Sequence, residues 1–91
     1  MNRAIWKFKL ETTDTQSIEM PIGAKILTVQ IQNQIPYLLA LVDPVAEKEM
    51  RCIEVFGTGN RMACKEGERK KYIGTYQLNE GAFVFHVFEV D

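Results

Sequence analysis

A chain of 91 residues has room for one hydrophobic core, so residues 1–91 are read as a single β domain with no second unit. Apolar residues make up 46% of it and charged residues 25%, which is too apolar for a disordered chain. The net charge of −1 argues against a dedicated nucleic-acid binder, because phosphate binding draws its affinity from a net positive footprint.

The chain alternates from its start. Ala4, Trp6, Phe8 and Leu10 fall on one side of a first strand, with Lys7, Lys9 and Glu11 on the other. Thr12-Thr13-Asp14 supplies turn chemistry. A short second strand carries Ile18 and Met20 against Ser17 and Glu19 and stops at the turn Pro21-Ile22-Gly23. In the third, strict alternation sets Lys25, Leu27, Val29 and Ile31 on one face and Thr28, Gln30 and Gln32 on the other. Ile26 is then the one apolar residue on the polar side. Asn33-Gln34 reads as a hairpin connection into Pro36–Val42, which is apolar on both sides, the pattern of a central strand covered on both faces.

Val45 to Glu49 is the only stretch with helical propensity and is long enough for one turn at most. Met50 to Phe56 alternates again, with Met50, Cys52 and Phe56 on one side and Ile53 and Val55 on the other. Gly57-Thr58-Gly59-Asn60 ends that strand. Arg61 to Lys71 is the longest predicted loop, and long loops in small domains are often functional. Tyr72, Tyr76 and Leu78 are expected on one face of a sixth strand. Gly74 between the tyrosines signals a bulge or a close approach. After the turn Asn79-Glu80-Gly81, Phe83, Phe85 and Val87 alternate with Val84, His86 and Phe88. The fold class is therefore all-β: an antiparallel β-sandwich or partly closed barrel of about seven short strands.

Chemistry-bearing residues are few. His86 is the single histidine, so no histidine cluster can hold a metal, and no metal or other cofactor is expected. It is expected to pack against aromatic rings and hydrogen-bond one neighbour. Cys52 and Cys64 make neither a disulfide framework nor a Cys-x-x-Cys motif. Cys52 is expected in the core. A small enzyme using Cys64 with His86 is the disfavoured alternative, and no catalytic residue is assigned. Gly57-Thr58-Gly59 resembles the start of a phosphate loop but lacks the following helix and the Gly-Lys-Ser/Thr ending, so it is read as a turn. The loop basics Arg61, Lys65, Arg69, Lys70 and Lys71 outnumber Glu66 and Glu68, the best electrostatic feature in the chain. With Trp6, Tyr72 and Tyr76 available for stacking, these eight residues form the candidate ligand site.

Three stretches carry a resemblance: Ile18-Glu19-Met20-Pro21-Ile22-Gly23-Ala24-Lys25-Ile26-Leu27, Ala40-Leu41-Val42-Asp43-Pro44, and Tyr72-Ile73-Gly74-Thr75-Tyr76-Gln77-Leu78 leading to Val84-Phe85-His86-Val87-Phe88-Glu89. Together they resemble a family of small uncharacterised bacteriophage and prophage proteins. Leu39 departs from that pattern, standing where tryptophan is expected. The resemblance implies a small accessory protein in the cytoplasm of a bacterial host and brings no catalytic residues with it. Function is then expected to be binding: anti-defence action by capturing a small anionic, nucleotide-like signal or by blocking a host protein. A structural or assembly component of a phage particle or replication complex is the alternative. Homo-oligomerisation is expected because small β proteins must cover apolar faces and edges. No membrane partner is expected, since the longest apolar run, Ile35 to Val42, is too short for a spanning helix.

Overall fold

A computed structural model describes residues 2–91, so the amino-terminal reading lies outside the described residues at Met1 alone. Seven antiparallel strands form two sheets: β1 (Ala4–Lys9), β4 (Ile35–Val42) and β3 (Lys25–Gln32) in the order β1-β4-β3, and β2 (Thr15–Pro21), β5 (Lys48–Gly57), β7 (Phe83–Val90) and β6 (Lys70–Leu78) in the order β2-β5-β7-β6. The fold is all-β, as expected, with no closed barrel. The chain changes sheet between β1 and β2, β2 and β3, and β4 and β5. β3–β4 and β6–β7 are local hairpins.

Alternation drives the packing. On β4, Pro36, Leu38, Ala40 and Val42 are buried, and opposite them in register stand Ala4, Trp6 and Phe8 of β1 and Ile26, Val29 and Ile31 of β3. From the other sheet Ile53, Val55, Tyr76 and Val87 meet this layer, with Leu10 closing one end. Met20 of β2 packs with Ala24, Ala40 and Val42 at the other. Leu10, Met20, Leu38, Val42, Ile53 and Val87 are each at most 1% exposed, and burying one such side chain is worth about 1.5–3 kcal/mol. The two-residue turn Asn33-Gln34 has positive φ at both positions (51° and 68°), the conformation a tight antiparallel hairpin needs.

Four sequence expectations need correction. The register of β3 shifts between Ile26 and Thr28, so Leu27 bulges outward and Ile26 turns into the core, the reverse of strict alternation. A second shift, between Tyr72 and Gly74, puts Tyr72 and Tyr76 on opposite faces of β6. Tyr72 is 55% exposed and Tyr76 3%. β4 is covered on one face only: Ile35, Tyr37, Leu39 and Leu41 point outward and are half-buried, because the molecule is just two layers, 15 Å along its shortest axis. Leu39 thus sits on an outer face. Cys52 lies on the outer face of β5 and is half-exposed, and the segment before β5 is a turn with no helix.

The sheets meet most closely where β3 runs beside β6. Gly74 makes that approach possible: a Cβ there would lie 2.8 Å from Val29 Cγ1. Both bulges, at Leu27 and Ile73, lie along this seam and line the same cleft between the sheets.

Candidate functional site

Two neighbouring clefts gather the chemistry. The first is the seam cleft, of about 340 Å³. Lys25 from the start of β3, Arg51 from β5 and Lys71 from β6 line it, with Glu89 of β7. Arg51 is already committed. Its Nε and Nη2 donate to the two carboxylate oxygens of Glu89, the latter at 3.0 Å, and its Nη1 donates to the carbonyl of Ala24 at 2.8 Å. Glu49 stands 3.7 Å from the same guanidinium. The hydrogen bond to Glu89 raises the Arg51 pKa further, outweighing its burial, so the guanidinium stays charged. Lys25 and Lys71 are exposed and make no ion pair among the described residues. Three cations therefore line the cleft with one carboxylate, which Arg51 binds bidentately; Glu49 and Asp91 act on the same guanidinium from outside the lining, which leaves Lys25 and Lys71 as the cleft's free positive charge.

The second cleft lies on the outer face of the four-stranded sheet and measures about 240 Å³. Register builds it: Phe56, His86 and Thr75 stand in one row across β5, β7 and β6, and Glu54, Phe88 and Tyr72 in the next. Phe88 packs edge-on against Phe56 at 5.8 Å and tilted against Tyr72 at 5.4 Å between centroids. The turn Gly57–Asn60 and Met62 complete the wall. His86 hydrogen-bonds two neighbours where one was expected: Thr58 Oγ1 at Nε2 (2.6 Å) and Thr75 Oγ1 at Nδ1 (2.9 Å). In neutral imidazole one nitrogen donates and the other accepts, so one threonine accepts while the other donates. The Tyr72 hydroxyl joins this chain at Thr75, 2.5 Å away. Both ring nitrogens are thus held by hydroxyls and neither by Cys64, which lies exposed in the 58–69 loop. Among the described residues no group of three or more histidine, cysteine or acidic side chains is arranged to hold a metal ion.

Of the eight candidate residues, the structure brings Lys71 and Tyr72 together, in the seam cleft. Lys70 is held between Glu54 and Glu68 with 5% of its side chain exposed, and these carboxylates raise its pKa well above the usual lysine range. It pins the loop to β5. Arg61 borders a separate cleft beside Asp14 and Glu54. Lys65 is exposed in the loop, and Arg69 pairs through its backbone with Asp91. Trp6 lies in the other sheet against Phe8, with the Lys48 ammonium 6.0 Å from its ring centre. Tyr76 is in the core, hydrogen-bonded to Thr12 at 2.7 Å. Sequence reasoning missed Lys25, Arg51 and Glu89 because their convergence depends on two bulges and a sheet crossing. Phe56, Phe88 and His86 had a usable signal: each fell on the side of its strand opposite the core residues Ile53, Val55 and Val87.

Fold and clefts together define a two-sheet antiparallel β protein with a cationic seam and an adjoining aromatic cleft. No curated protein and no solved structure is similar enough to count as a match. The chain belongs to the family described as a domain of unknown function, DUF7352, which matches residues 1–91.

Proposed function

We propose that this chain is a binding protein that captures a small anionic, nucleotide-like ligand at the seam between its sheets. The observation that carries the proposal is the charge count there: Lys25, Arg51 and Lys71 line one cleft whose single lining carboxylate, Glu89, is taken up by Arg51. Arg51 is fixed by three hydrogen bonds, two to Glu89 and one to the Ala24 carbonyl, while the two lysines remain free to close on an anion. The resemblance to phage and prophage proteins supports the setting: an accessory protein in a bacterial host cytoplasm that removes a signal on which a defence system depends.

A second reading, docking onto a host protein or another copy of this chain, is favoured by the uncovered row Ile35, Tyr37, Leu39 and Leu41, with Ile5 63% exposed beside Leu41. One experiment separates the two. A ligand that binds only the folded state raises Tm, by an amount that grows with ligand concentration. Inorganic pyrophosphate and a panel of linear and cyclic nucleotides are expected to raise the Tm of the wild type. The same compounds are expected to raise it far less in a Lys25→Glu/Lys71→Glu variant, where both substitutions are at exposed positions. No shift with any of these anions refutes capture at the seam and leaves protein docking.

A further inference from the structure

We infer that the aromatic cleft receives the ring system of the same ligand whose anionic group sits at the seam, which makes that ligand a small aromatic anion of the nucleoside-phosphate class. The inference rests on the anion reading above and adds to it a second subsite. Tyr72 lines both clefts, so they adjoin at the edge strand β6, the seam on its inner side and the aromatic cleft on its outer side. The bulge at Ile73 is what turns Tyr72 outward onto Phe88, away from the buried Tyr76.

The chemistry of the cleft selects a ring. Phe56, Phe88 and Tyr72 offer aromatic surface on neighbouring strands, and Met62 offers a soft, polarisable wall. His86 has both nitrogens committed to threonines, so it presents its ring more readily than a hydrogen-bonding edge. A volume of about 240 Å³ lies below the range of about 300–1,000 Å³ typical of whole drug-sized ligands, and suits one planar ring system. Stacking on such a surface tolerates different bases, because every base has a π-face. Lys70, which could have drawn an anion directly here, is neutralised by Glu54 and Glu68, so the cleft itself favours the uncharged part of the ligand.

Isothermal titration of the full chain with nucleoside monophosphates, their cyclic forms and inorganic pyrophosphate tests this. Phe88→Ala removes the central ring. Phe88→Leu removes its aromaticity while keeping most of its apolar volume, and Tm confirms that each variant is folded. The wild type is expected to bind at least one nucleotide more tightly than pyrophosphate. Phe88→Ala is expected to weaken that nucleotide by about 5- to 150-fold, the range for losing one stacking contact. Phe88→Leu weakens it in the same direction, and neither variant alters pyrophosphate binding. Equal wild-type affinity for pyrophosphate and every nucleotide, or nucleotide affinity unchanged in both Phe88 variants, overturns the ring subsite alone. Pyrophosphate and nucleotide affinities that ignore Lys25→Glu/Lys71→Glu overturn the anion reading instead, whatever the Phe88 variants do.

Discussion

Gly74→Ala probes the closest approach of the two sheets. The new Cβ would meet Val29 Cγ1 at 2.8 Å, against about 3.5–4.0 Å for carbon atoms at optimal separation. Retreat is restricted: Val29 is 5% exposed in the core, its χ1 is stiff, and its backbone nitrogen is already 3.5 Å from the same point. Overpacking of this kind costs about 1–3 kcal/mol. Because Gly74 does not have positive φ, alanine also recovers about 0.4–1 kcal/mol by restricting the unfolded chain. The net expectation is a loss of about 1–2 kcal/mol, or roughly 4–16 °C in Tm at about 4–8 °C per kcal/mol for a domain of this size. Thermal and urea unfolding followed by circular dichroism measure it. Val29→Ala supplies the control. Alone it is destabilising, but in the Gly74→Ala background it removes the clashing methyl, so the double variant should be more stable than the sum of the singles by about 0.5–2 kcal/mol. A neutral Gly74→Ala, or strict additivity with Val29→Ala, would refute the steric account of the seam.

Two further outcomes follow from the same core. Burial raises the Tyr76 pKa above 10.0, while the hydrogen bond with Thr12 pulls it partly back. A raised folded pKa gives stability that is complete below the unfolded value of about 10 and is lost as pH rises through the folded one. Tyr76→Phe should therefore cost about 0.5–1.5 kcal/mol at pH 7, through the lost hydrogen bond, yet show a shallower loss of stability as pH rises above about 10 in urea titrations. An unchanged alkaline slope would rule out Tyr76 as the titrating group. At the seam, Glu89→Ala takes the bidentate partner from the Arg51 guanidinium, whose side chain is 18% exposed, and should cost about 2–3 kcal/mol, below the about 3–5 kcal/mol of a fully buried pair because Glu49, the Ala24 carbonyl and some solvent remain. Arg51→Met/Glu89→Leu should cost less than Glu89→Ala alone by urea denaturation; an equal or larger cost would show that the ion pair itself, rather than the stranded charge, sets the penalty.

Alternation along the chain was enough for seven strands and an all-β fold, because a strand that buries one face must repeat every two residues. It also placed Trp6, Phe8, Leu10, Ile18 and Met20 on core-facing sides, since burial of these side chains is the pattern's cause, but in β5 it favoured the side of Cys52 over that of Ile53 and Val55, which form the core. Gly74 announced an irregularity at its own position, because a strand gives up side-chain packing there only for a close approach. The basic loop was legible as charge but not as a site. Ion pairing decides whether a lysine is free, and Lys70 and Lys71, adjacent in sequence, meet opposite fates on the two faces of β6. What tertiary structure alone decided was the seam. A bulge adds one residue to one strand and flips everything beyond it to the other face, so Ile26 turned inward and Tyr72 outward against the simple pattern. Only the crossing of β3 from one sheet to lie beside β6 of the other sets Lys25 near Lys71, residues 25 and 71 of a chain whose local periodicity carries no trace of that meeting.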